Sequence, residues 1–128
     1  MTQIQSIQSL MSNIKQGQKN NLLSVDIIYS KLNFDILNVL YEEGYIRDFE
    51  KKTNKKNQDI INVRLKYYNN TSAIKNIQRV INQHISLKLL NQIDLGLVTY
   101  ILSTSKGIFS GKEAKRLNLG GTVLLIIW

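Results

Sequence analysis

The stretch Ser30-Lys31-Leu32-Asn33-Phe34-Asp35-Ile36-Leu37-Asn38-Val39-Leu40-Tyr41-Glu42-Glu43-Gly44-Tyr45-Ile46-Arg47-Asp48-Phe49 decides the class of fold. Ser30 has a side-chain oxygen that can cap a helix, and Leu32, Ile36, Leu37 and Leu40 follow at the spacing that places them on one helical face. Gly44 stands where the helix stops, as a C′ residue in the left-handed conformation that glycine adopts without a Cβ clash. Beyond it the period changes. Tyr45 to Phe49 and Ile60 to Tyr67 read as strands, with Val63, Leu65 and Tyr67 alternating as in a half-buried sheet. A capped helix feeding strands of this kind predicts an α+β fold.

Outward from this stretch, Ile4, Ile7, Met11 and Ile14, with Leu10 beside them, predict an amphipathic first helix that closes at Gly17. Val25, Ile27 and Ile28 predict a short strand before Ser30. The run Lys51-Lys52-Thr53-Asn54-Lys55-Lys56-Asn57 is too polar to bury and reads as a hairpin tip able to touch phosphate non-specifically. Asn69-Asn70-Thr71-Ser72 marks a boundary between an N-terminal α/β half, residues 1–70, and a more β-rich C-terminal half, residues 71–128. In the second half, the stretch from Ile74 to Ile81 reads as a strand or a short helix, and Ile85, Leu87 and Leu89 as a strand. Leu97 to Leu102 and Thr122 to Trp128 predict two more strands. Ser110-Gly111-Lys112-Glu113 has the S-x-x-E form of a capping box and predicts a helix to about Leu117.

The chain has 128 residues, 43% of them hydrophobic, enough for a core in one domain or two small subdomains. Its 17 Lys and Arg against 9 Asp and Glu give a net charge of +8. That balance favours a polyanionic partner, nucleic acid before an anionic membrane surface. Cysteine is absent, which removes disulfides, thiolate metal sites and cysteine nucleophiles. No apolar run is long enough to span a bilayer, and the first helix is only weakly basic, with Lys15 and Lys19. Met1-Thr2-Gln3-Ile4-Gln5-Ser6 lacks the basic start of a secretory signal and the arginines of a transit peptide.

Catalytic chemistry finds little to work with. His84 is the only histidine and reads as a surface or packing residue. Glu42 and Glu43 are about 100° apart on a helix and do not converge as an acid/base pair. Gly107-Ile108-Phe109-Ser110-Gly111-Lys112 departs from a phosphate-binding loop, with three residues between its glycines and Glu113 after its lysine.

Chemistry concentrates instead in Ser103-Thr104-Ser105-Lys106-Gly107, read as the connection from a strand to the helix pattern that stops at Gly120-Gly121. Hydroxyls donate and accept, so they suit the 2′-OH and phosphate groups that the shallow minor groove of RNA presents. Lys106 adds a charge-assisted phosphate contact, and Gly107 lets the backbone come close. A polar connection whose hydroxyls serve only the local backbone is the structural alternative.

Four stretches give a wider signal: Ile14 to Gln18; Ser30-Lys31-Leu32 through Asn38 to Phe49; Ile77-Gln78-Arg79-Val80; and Ser103 to Gly107 with Ala114 and Leu119-Gly120-Gly121. In order and separation they resemble the bacterial-type small-subunit ribosomal protein eight family. The resemblance implies a structural, non-enzymatic rRNA binder that docks early on the central domain of the small subunit, beside neighbouring ribosomal proteins. It implies two packed halves, with the C-terminal one presenting the Ser-Thr-Ser loop to the minor-groove side of an rRNA helix. No cofactor, metal, membrane or small-molecule substrate is implied. Carried over by position, the RNA-binding residues are Ser103, Thr104, Ser105, Lys106 and Gly107, with Gly120, Gly121 and Thr122, and Ser30 and Lys31 supporting from the N-terminal half.

The chain departs from the family in places. Thr122 stands where the family pattern has Glu after Gly-Gly, Gln83-His84 replaces a Pro-Gly, Lys88 replaces an aromatic, and the segment from Leu89 to Asp94 is shorter. Absence of proline and abundance of Asn, Ile and Lys suggest an AT-rich genome, and with no presequence this points to an organellar, mitochondrial ribosome. A small basic enzyme or binder of a phosphorylated metabolite, using Lys106 and the hydroxyls, is the alternative function.

Overall fold

The structure, a computed structural model, describes residues 3–81, 83–93, 96 and 98–128. It is α+β: helices with antiparallel sheets, in two compact units, Met1–Ile74 and Lys75–Trp128. The residues Met1, Thr2, Asp94 and Leu97, which entered the sequence expectations, lie outside the described residues.

The first unit comprises α1 (Gln3–Lys19), β1 (Ser24–Ile28), α2 (Lys31–Glu42), β2 (Ile46–Thr53), β3 (Asp59–Leu65), β4 (Tyr67–Tyr68) and β5 (Thr71–Ser72). Its main sheet has the order β1-β3-β2, all antiparallel. Ile7, Leu10, Met11 and Ile14 of α1 and Ile36, Leu37, Val39 and Leu40 of α2 are buried, as are Ile27, Ile61, Val63 and Leu65 of the sheet. Burying one such side chain is worth roughly 1.5–3 kcal/mol, so this face carries most of the stability of the unit. Ser30 caps α2 by accepting from the Asn33 N–H at 3.1 Å. Gly44, at φ 83°, ends it, with Tyr45 N donating to Leu40 O and Gly44 N to Tyr41 O.

The first helix differs from expectation. It runs past Gly17 to Lys19 and is ended by left-handed Asn21, with Leu22 N donating to Gly17 O and Asn21 N to Gln18 O. Gly17 is there for packing: a Cβ on it would lie 2.5 Å from Val25 Cγ1 and 2.9 Å from Leu65 Cδ1. The lysine-rich stretch also differs in part, because Lys51, Lys52 and Thr53 continue β2 and the reversal occupies Asn54 to Gln58. There the Asn54 side-chain oxygen accepts from the N–H groups of Lys56 and Gln58, both at 2.9 Å. Asn69 and Asn70, both left-handed, form the turn of the small hairpin β4-β5.

The second unit comprises β6 (Ile77–Arg79), β7 (His84–Ile85), α3 (Leu87–Leu90), β8 (Thr99–Thr104), β9 (Gly107–Ser110), α4 (Gly111–Arg116) and β10 (Gly121–Ile127). The sheet order is β6-β10-β8-β9, with β7 also pairing β10. One face packs Ile85, Leu90, Leu102, Ala114 and Val123 together, with Tyr100, Phe109 and Ile126 against them. The strand expected over Ile85, Leu87 and Leu89 is instead the two-residue β7 followed by a helical turn. Ser86 caps that turn by accepting from Leu89 N at 3.3 Å, which carries Leu90 into the core.

Candidate nucleic-acid interface

The hydroxyl-rich run is not a strand-to-helix connection. β8 and β9 pair in register from Ile101↔Ser110 to Thr104↔Gly107, so Ser105 and Lys106 are the tip of a tight hairpin and the helix begins only after β9. Ser105 and Lys106 are not left-handed; Gly107, at φ 127°, completes the reversal where a side chain would be strained. Thr104 locks the tip: its Oγ1 donates to Gly107 O at 2.8 Å and accepts from Lys106 N at 3.2 Å. Its hydroxyl is thus committed to the turn. The hydroxyls of Ser103 and Ser105 make no hydrogen bond among the described residues, and Ser105 and Lys106 are exposed.

Gly121 brings a neighbouring strand against this hairpin, and Gly120 lies against the segment from Ile85 to Leu87. α4, capped by Ser110 accepting from Glu113 N at 3.2 Å, ends at left-handed Asn118 rather than at the diglycine. A Cβ on Gly121 would lie 2.5 Å from Ser103 O, and one on Gly120 would lie 2.7 Å from Ile85 O and 2.9 Å from Leu87 N. These obstacles are backbone atoms that cannot rotate away. Both glycines therefore act through close packing, which seats Thr122 directly opposite Ser103 in the ladder. Thr122 is exposed.

The structure brings Ser103 to Gly107 and Gly120 to Thr122 together; Ser30 and Lys31 belong to the first unit. There Ser30 Oγ serves the helix cap and lies 2.9 Å from Ser6 Oγ. Lys31 Nζ donates to Asp35 Oδ1 at 2.7 Å, and that hydrogen bond and charge raise the pKa of Lys31 above its ordinary value. His84, read from the sequence as a surface or packing residue, is exposed and pairs with Thr122 on the side away from Ser103. Its place follows from strand register, which no local pattern around Gln83-His84 encodes.

Electrostatically the surroundings are cationic. The second unit has seven Lys and Arg against two carboxylates, and one of these, Glu113, is held by Arg116 and lowered below its ordinary pKa by that hydrogen bond. Arg79 has its Nε and Nη1 enclosed without a partner, and burial lowers its pKa. Among the described residues no cluster of His, Asp or Glu could hold a metal, and no helix is long and apolar enough to cross a membrane. A hollow of about 400 Å³ in the first unit is lined by Asn21, Leu23, Tyr67 and Asn70, with no carboxylate or histidine to drive acid–base chemistry.

The profile of the family described as Ribosomal protein S8 matches residues 5–128. The small ribosomal subunit protein uS8 of Buchnera aphidicola subsp. Schizaphis graminum is 36% identical, over 94% of this chain and 95% of that protein. The protein of the same name from Malacoplasma penetrans is 36% identical over 95% and 96%, and that of Rhizobium etli (strain CIAT 652) is 33% identical over the full length of both. Similarity that runs nearly from end to end, at about a third of positions, means that the chain belongs to the Ribosomal protein S8 family.

Proposed function

We propose that this chain is a structural constituent of the small ribosomal subunit that binds the central domain of the small-subunit rRNA and helps that domain assemble. Members of its family are structural, non-enzymatic parts of the ribosome. The observation that carries the RNA reading is the hairpin tip, where Ser105 and Lys106 project beside Ser103 and Thr122 with their polar groups unspent. Hydroxyls at that spacing can meet ribose 2′-OH and base edges in a minor groove, while Lys106 meets a phosphate. Gly107 completes the turn, Gly121 lets β10 lie close against Ser103, and Thr104 holds the tip rigid. Ser30 and Lys31 are proposed as support on the RNA backbone, Lys31 by exchanging Asp35 for a phosphate and Ser30 by capping the helix that carries Lys31.

The proposed setting is an organellar ribosome, on the Asn-, Ile- and Lys-rich, proline-free composition. The relatives named above are bacterial proteins, and finding this gene in a bacterial genome would overturn that part.

The test is binding of the purified chain to a stem from the rRNA central domain and to a scrambled duplex. Ser105→Ala should weaken stem binding by roughly 1–3 kcal/mol, the cost of a lost buried hydrogen bond. Lys106→Ala should weaken both and lower the salt slope by about one phosphate. Equal binding of stem and scrambled duplex by wild type and Ser105→Ala would defeat the proposal.

A further inference from the structure

The hairpin belongs to a row of residues that crosses the sheet. Ile108 pairs with Ser103, Ser103 with Thr122, and Thr122 with His84. Directly opposed residues in antiparallel strands point to the same face, with Cβ atoms roughly 5 Å apart. The four side chains therefore stand side by side on β9, β8, β10 and β7. The positions next along the strands, Leu102, Val123 and Ile85, are buried in the core on the opposite face. Thr122 and His84 are exposed.

We propose that the RNA-gripping surface extends along this row from the hairpin hydroxyls to His84, and that protonation of His84 tightens the grip. The inference rests on the reading of the hairpin as an RNA contact. β10, the strand that His84 pairs with, carries no ionisable side chain. The only one on β8 is Tyr100, which pairs with Ile126 and packs with it on the core face. The other charged groups on β6 and α3 are cations, and Glu113 of α4 is engaged by Arg116. Arg79 of β6 pairs with Leu125 on the same side of β10, with two guanidinium nitrogens lacking partners, and Lys88 lies on α3.

An imidazolium at this place thus meets no carboxylate from β6, β8, β10 or α3. An anion brought from outside complements it, and a nucleic-acid backbone supplies one beside the ribose that Ser103 and Thr122 would contact. A nearby phosphate favours the charged form of an imidazole, and each further phosphate neutralised releases a counterion and steepens the salt dependence.

The experiment measures affinity of the full chain for the rRNA stem at fixed ionic strength from pH 8 to 5.5, with His84→Gln and His84→Lys alongside. Wild type should bind about three- to tenfold tighter at the acid end, in keeping with one added charge-assisted contact. His84→Gln should keep the alkaline affinity and lose the acid gain. His84→Lys should bind tightly throughout, with a salt slope steeper by about 0.9. A flat wild-type profile, or the same acid gain in His84→Gln, would overturn the role of His84 and leave the hairpin reading standing, since Ser105→Ala would still weaken the complex. Failure of wild type to bind the stem at any pH would overturn both.

Discussion

The two units share a plan, an antiparallel sheet with helices against one face, yet treat polar residues in opposite ways. The first unit has ten Lys and Arg against seven Asp and Glu, and the ion pairs among its described residues tie Lys31 to Asp35, Lys51 to Asp59, Lys52 to Glu50 and Arg64 to Asp48 and Glu50. On its outward sheet face Asn62 also donates to Asp26 at 2.8 Å. The second unit has one ion pair among its described residues, Glu113 with Arg116, and an outward row of hydroxyls and one imidazole. Exposed pairs of this kind add little stability, so the difference is not one of folding energy. It is one of availability: the first unit pairs several of its charged groups internally, while among the described residues the Ser103 and Ser105 hydroxyls of the second make no hydrogen bond.

The sharpest way to break that contrast is to distort the second unit alone. Gly121→Ala puts a methyl 2.5 Å from the Ser103 carbonyl oxygen, and the strands must part to admit it. Overpacking against backbone should cost about 3 kcal/mol. Amide exchange should show the protection of β8 and β10 lost and that of α1 and α2 kept, with rRNA binding abolished. The converse is Asn33→Ala, which removes a buried side chain whose Nδ2 donates to Ile28 O at 3.1 Å. It should destabilise the first unit by about 2 kcal/mol. Stem affinity of the folded protein should change less than twofold; a larger loss would mean that the first unit grips RNA more than its polar economy implies.

Elements whose signals are local were legible in the sequence. Ser30, the apolar spacing of α2 and Gly44 lie within fifteen residues of one another, and cap, helix and stop all appear in the structure. The Ser110–Glu113 cap was legible for the same reason. Errors arose where a residue answers to something distant in the chain. Gly17 and Gly120 resemble helix stops, but their reasons are Val25 and Leu65 in one case and the Ile85 to Leu87 backbone in the other, while Asn21 and Asn118 do the stopping. Ile108 and Phe109 are too few to announce a strand, and only pairing with Ser103 and Leu102 turns the polar connection into a hairpin. The candidate site was legible as a set of residue types. Its geometry was not, since the place of His84 depends on register.

Ser30 and Lys31 test the contrast from within the first unit. Ser30→Ala removes the cap of α2 and should cost about 1 kcal/mol of stability, read from the denaturation midpoint. Because the hydroxyl is already engaged with Asn33 N and Ser6, stem affinity should change less than twofold. Lys31→Ala should leave stability unchanged, since its side chain is 80% exposed and its pair with Asp35 is a surface one. A salt slope lowered by about one in Lys31→Ala would show that this lysine trades its carboxylate for a phosphate.

The smallest effect concerns pH, and it runs in opposite directions in the two units. The Arg116 hydrogen bond holds Glu113 below its ordinary pKa of 4.5, so the pair stabilises the second unit above that pH, and the contribution disappears as pH falls through the lowered value. Lys31 is raised above its ordinary 10.5 by Asp35, so that pair stabilises the first unit below 10.5 and fails as pH rises through the raised value. Both pairs are solvent-exposed, and each shift should be slight. Glu113→Gln should flatten part of the acid limb of unfolding followed by amide exchange in α4, without touching the alkaline limb. Asp35→Asn should do the reverse for α2. If either substitution altered the opposite limb, the polar groups of the two units would not be separate systems, and the contrast between a unit with many internal ion pairs and one with few would fail.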